Sequence, residues 1–172
     1  MCVRDGTLSP PCPIVVVASE TEALRTTNTG WLLTMATGGL WAPLPPNRGA
    51  PRQPLPLPEG SRPLVLFPGG ERVLSVGDAG RPLVMVDAGY RRARRMLRRP
   101  PLVGLDRARL PDSHATPTYR LRNSRDPTRL CTMGAAARAL EVVGATEDAA
   151  ALDALLAEFQ ERAWRLRHLS AG

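Results

Sequence analysis

The chain has 172 residues, of which 43% are hydrophobic, 23% charged and only 4% aromatic, which suits one globular domain with an aliphatic core. Its formal net charge of +7 is carried by arginine without a single lysine, which excludes lysine Schiff bases, lysine general bases and lysine-dependent phosphate loops. From Arg81 to Arg129 the arginines far outnumber the four acids Asp87, Asp106, Asp112 and Asp126, so this middle third points to an anionic partner, nucleic acid ahead of a membrane.

In chain order, the β-branched run from Pro13 to Ala18 predicts a strand buried on both faces. A polar loop, "SETEALRTTNTG", follows. The apolar stretch from Trp31 to Met35 predicts a short helix with Thr29 as a candidate N-cap. Prolines recur so densely between Pro43 and Pro63 that neither a helix nor a central strand is expected there, only a long loop within one domain spanning residues 1–172. Pro63–Gly70 ("PLVLFPGG") and "RPLVMVD" predict two more buried strands. Their alternation with helical stretches argues for an α/β fold with a mainly parallel sheet flanked by helices. "YRLRNSRD" is too polar for a core strand and reads as a loop or edge strand. A helix is expected from Thr132 to Val143, stopped by Gly144. A last helix, about 146–168, would start at a Thr146 cap and bury Leu152, Leu155, Leu156, Phe159 and Ala163, with Arg162, Arg165 and Arg167 in its final turns.

Cys2, Cys12 and Cys131 are odd in number and form no Cys-x-x-Cys pair, and His114 and His168 stand apart from any cysteine or carboxylate cluster. No metal site is expected. The longest apolar run is too short for a bilayer and no secretory signal is evident, so the expectation is a soluble cytoplasmic protein without a membrane partner.

The stretch "VDAGYRRARRMLRR" carries the most chemistry. Ala93, Met96 and Leu97 recur at helical spacing, leaving Arg91, Arg92, Arg94, Arg95, Arg98 and Arg99 to the exposed surface. Asp87 falls at the carboxyl end of its strand, where open α/β sheets bind ligands. Two readings are open on these residues alone. Either Asp87 is a charged acid in a crevice beside a phosphate-gripping helix, or it caps its own helix and the arginines are a solvated face.

Five blocks, in order, resemble the DTW-domain family. They are "ETEALRTTNTG" with Glu22 and Asn28-Thr29-Gly30, "LFPGG" (Leu66–Gly70), "LVMVD" running through "DAGY" into "RRARRML", "TYRLR" (Thr118–Arg122), and "LCTMGAAARAL", which is similar to the family's Ser-Thr-x-Glu-Ala helix start. The resemblance implies a SPOUT-like, knotted α/β sheet and tRNA-uridine aminocarboxypropyl transfer. The donor would be S-adenosylmethionine, giving up its 3-amino-3-carboxypropyl arm to uridine N3 without a metal, and the partner would be tRNA. It further implies Asp87 as catalytic base; Asn28, Thr29, Gly30, Phe67, Pro68, Gly69, Tyr119, Leu121 and Thr132 at the donor; and Tyr90, Arg91, Arg94, Arg95, Arg98, Arg120 and Arg122 on the RNA. The chain departs from the family pattern at Gly89 and Tyr90, where Thr and Trp name the motif, and at Arg92, Cys131 and Gly134. A second reading therefore stands beside transfer: a relative that binds RNA or S-adenosylmethionine without catalysis.

Overall fold

The run Ile14–Ser19 has no side chain that prefers water except its terminal serine, and all six residues are buried as strand β1 at the heart of the sheet. The computed structural model of the chain describes residues 8–44, 54, 55, 57–112, 121 and 130–169. Within them β1 is followed by α1 (Glu20–Ala23), α2 (Thr29–Thr37), β2 (Leu40–Leu44), β3 (Leu64–Leu66), β4 (Arg72–Val73), β5 (Leu83–Asp87), α3 (Tyr90–Met96), β6 (Asp106–Arg109), α4 (Thr132–Val142) and α5 (Thr146–Leu169). The six strands form one sheet in the order β2-β1-β5-β3-β6-β4, and every pairing is parallel.

That order sets where a ligand can enter. β5 lies between β1 and β3, pairing Ala18 with Asp87 on one side and Leu66 with Met85 on the other. The chain leaves β1 toward the β2 edge and leaves β3 toward the opposite edge, so a crevice opens at the carboxyl ends of the three central strands.

Strand alternation sorts the core into two layers. Ile14, Val16, Leu64, Leu66, Leu83 and Met85 face one side, where α2, α4 and α5 cover them with Leu33, Met133, Leu140 and Leu152. Fully buried leucines of this kind each stabilise the fold by about 1.5–3 kcal/mol. Val15, Val17, Val65 and Val84 face the other side, covered by Ala93 and Met96 of α3, by Leu97 and Leu102, and by Leu55 and Leu57 of the proline-rich segment. Pro-rich chain forms no ladder, but it can still lay leucines on a sheet.

Several details depart from the sequence expectation. Asn28, not Thr29, caps α2, because its amide oxygen accepts from Trp31 N at 2.7 Å while Thr29 is already helical. Residues 20–23 of the expected polar loop form the short helix α1. Thr146 is the first helical residue rather than the cap, with the Ala145 carbonyl accepting from Ala149 N. α3 ends at Met96, so Arg98 and Arg99 lie in the turn after it. β2, β4 and β6 were not expected. β4 is two residues long and β6 is polar, while β2 and β4 are the two sheet edges, with Pro43 in β2 where an edge tolerates a missing donor. Gly144 does stop α4, at φ 90°. Among the described residues no helix is long and apolar enough to cross a membrane.

Candidate active site

Alternation along β5 puts Asp87 on the same face as Leu83 and Met85, the face covered by α2 and α4. It is only 3% exposed. Its Oδ1 accepts from the Thr132 hydroxyl, the first residue of α4, at 2.7 Å. On the other side α2 presses its first turn against the carboxylate. A Cβ added at Gly30 would lie 2.7 Å from Asp87 Oδ2 and 2.9 Å from Val16 Cγ1, so only glycine permits this approach. Asp87 therefore sits where the N-termini of two helices meet. The N-cap of α3 is Gly89.

The early loop is fastened from within. Asn28 is 6% exposed and uses both ends of its amide: Oδ1 caps α2, and Nδ2 donates to the Glu22 carbonyl at 2.6 Å. Thr29 and Gly30 are buried behind it. The "NTG" block thus builds the turn that brings Gly30 onto Asp87.

The α4 start has the geometry of a capping box with one half missing. Cys131 is the N-cap, its Sγ accepting from Gly134 N at 3.4 Å, and Gly134 occupies the third helical position. In a Ser-Thr-x-Glu start the serine would accept that bond more strongly, and the glutamate would reach back to the N-cap amide. A Cβ at Gly134 would meet only ordinary contacts, 3.5 Å from Cys131 Sγ and 3.6 Å from Leu130. A glutamate at this position would stand where a capping group stands, while Thr132 touches Asp87.

The arginines of α3 do not act alike. Arg92 turns back and donates to Ser19 Oγ at 3.4 Å and to Thr21 Oγ1, tying α3 to the end of β1. Arg91 and Arg95 are exposed. Arg94 and Arg98 instead line a cleft of about 340 Å³, together with Phe67, Gly69 and Tyr90, and Arg107 joins them from β6. Tyr90 stacks on Phe67, with centroids 5.5 Å apart and planes 11° from parallel. Arg107 is steadied by donating to the Leu97 carbonyl at 3.1 Å. Pro68 is exposed beside the cleft. Gly70, last of its block, packs on β6, where an added Cβ would come within 2.6 Å of Arg109 N. A second cleft of similar size, about 340 Å³, is lined by Trp31, Leu32, Met35, Phe159 and Asn28. Asp87 lines neither cleft.

Two groupings therefore emerge from the residues singled out in the sequence. Gly30 and Thr132 close on the Asp87 carboxylate, with Asn28 and Thr29 building the turn that carries Gly30; Phe67, Gly69, Tyr90, Arg94 and Arg98 share one cleft. Leu121 is buried. Tyr119, Arg120 and Arg122 lie outside the described residues, as does most of "YRLRNSRD". Arg107 escaped the sequence reading, since "DRAR" carries no apolar pattern to mark it as a strand aimed at the cleft. Among the described residues no group of three or more His, Cys, Asp or Glu gathers at one place. No curated protein and no solved structure shows a significant match to the sequence. The family model for the DTW domain, however, matches residues 1–163, nearly the whole length, and on that match the chain belongs to the DTW-domain family.

Proposed function

We propose that this protein transfers the 3-amino-3-carboxypropyl group of S-adenosylmethionine to N3 of a uridine in tRNA, in the cytoplasm, on a sheet of the SPOUT-like, knotted class. The family is associated with tRNA-modifying transferases, and the finer reading rests on one observation above others: the Asp87–Thr132 pair at the carboxyl edge of the central strand, closed by Gly30. The donor brings its own leaving group, a sulfonium, so the residues need supply only orientation and a proton acceptor. The imide N3 must lose its proton as the N–C bond forms and the C–S bond breaks, releasing methylthioadenosine. Asp87 is enclosed, so it acts through the half-buried Thr132 hydroxyl: the N3 proton passes to Thr132 Oγ1 as the Thr132 proton passes to Asp87 Oδ1. Asp87 is the buried acid that would face a cationic donor here, since Glu22, the buried acid that follows β1, is paired with Arg25 at 3.6 Å.

Asp87→Asn tests the proposal. Transfer is expected to fall by about 10²–10⁴, with tRNA binding kept within about twofold. Unchanged turnover would remove Asp87 from the chemistry. A second reading, binding without transfer, is favoured by the enclosure of Asp87 and its absence from both clefts. It expects ligand binding by wild type and Asp87→Asn alike, with no product from either.

A further inference from the structure

We infer that the cleft between α3, β6 and the end of β3 is a mononucleotide subsite for RNA, with one phosphate held by Arg94, Arg98 and Arg107 and the attached base laid on the aromatic pair of Tyr90 and Phe67. The inference rests on the reading above only in choosing RNA over other phosphorylated ligands.

Three guanidinium groups line this cleft and no carboxylate does. Among the described residues none of the three forms an ion pair, whereas Arg72, Arg81, Arg109, Arg138, Arg162 and Arg165 all do. Such a convergence of like charge persists because each group stays solvated, and it is relieved by a polyanion. Guanidinium forks match phosphate oxygens in pairs, and Arg107 is already oriented by the Leu97 carbonyl.

The aromatic pair supplies the second half. Tyr90 is 39% exposed while Phe67 is 8% exposed, so the stack presents a ring at the surface that is backed by a buried one. Bases stack on such a platform without regard to sequence. Gly69 adds no side chain at the cleft and a Cβ there would only touch the Phe67 ring, at 3.4 Å.

Electrostatics separates this ligand from the donor. S-adenosylmethionine carries a sulfonium and an ammonium against one carboxylate, a net cation that three arginines would repel. The inference therefore moves Phe67 and Gly69 from the donor side, where the resemblance puts them, to the acceptor side.

The experiment is a calorimetric titration of the full chain, at fixed ionic strength, with uridine 5′-monophosphate, uridine and inorganic phosphate. The monophosphate is expected to bind at least about tenfold more tightly than either fragment, since both halves of the cleft are engaged. Arg94→Gln/Arg98→Gln is expected to lose about tenfold or more of that affinity, while Arg162→Gln/Arg165→Gln, with the same charge removed on α5, stays near wild type. Circular dichroism verifies the fold of both variants. The inference is overturned if the monophosphate does not bind, if the α5 variant loses as much as the α3 variant, or if S-adenosylmethionine displaces the monophosphate competitively. Transfer to tRNA is assayed separately, so nucleotide binding without product would sink the proposed reaction and leave this subsite standing.

Discussion

Gly30 and Asp87 were both visible in the sequence, but the reason for the glycine was not. No local pattern announces that a helix will press its first turn so close to a carboxylate 57 positions further on that an added Cβ would lie 2.7 Å from it. Gly30→Ala is expected to force α2 or Asp87 aside at a cost of about 1–3 kcal/mol, the usual penalty for overpacking, and to reduce transfer along with stability. Thermal unfolding measures the first effect, and an unchanged midpoint would mean that the approach is looser than described. Thr132 separates a structural role from a chemical one. Thr132→Ser keeps the hydroxyl and should keep transfer within about tenfold, whereas Thr132→Val should lose about 10²-fold or more. Equal losses in the two variants would show that the methyl packing, not the hydroxyl, is what matters.

The central strands β1, β3 and β5 were legible because apolar runs of three to six residues buried on both faces leave a continuous signal. α3 was legible for the opposite reason, as Ala93, Met96 and Leu97 stand out against arginine. The edge strand β4 and the polar β6 carry no such contrast, so their pairing is decided by tertiary context rather than by pattern. The α4 start shows how an element can keep its place while its local signals weaken. Its thiol cap is a poor acceptor and its third position is glycine, so the helix relies on Met133, Ala136, Ala137 and Leu140 in the core. Restoring both halves of the box, Cys131→Ser with Gly134→Glu, is expected to raise stability by about 1–2 kcal/mol in chemical denaturation. No gain, or a loss, would show that Cys131 makes packing contacts worth more than the cap.

Across the whole molecule, charge is organised at both ends of the strands. Before β5, buried Asp78 is held by Arg72 at 2.8 and 2.5 Å and by Arg81 at 3.2 Å, with Ser75 N donating at 3.1 Å. The Arg72 hydrogen bond above all brings its carboxyl from an ordinary 3.8 down to about 2. A depressed folded value means that this contribution to stability is complete above about 3.8 and is lost as pH falls toward about 2. Asp78→Asn should destabilise the neutral-pH fold by about 2 kcal/mol and flatten the dependence of the unfolding midpoint on pH between those limits. An unaltered acid limb would place the acid-sensitive group elsewhere. At the other end of the strands lie Asp87, between two helix starts, and the arginine cleft, on opposite layers of one sheet. The sequence located the acid and the basic helix, and the family blocks linked them. It could not show which arginines converge, because that depends on Arg107 arriving from a strand with no apolar signature.

The most direct test of the account is mass spectrometry of uridine-containing tRNA after incubation with the protein and S-adenosylmethionine. The aminocarboxypropyl mass increment is expected on uridine, with methylthioadenosine released in equal amount. Binding of both substrates with neither product formed would contradict it.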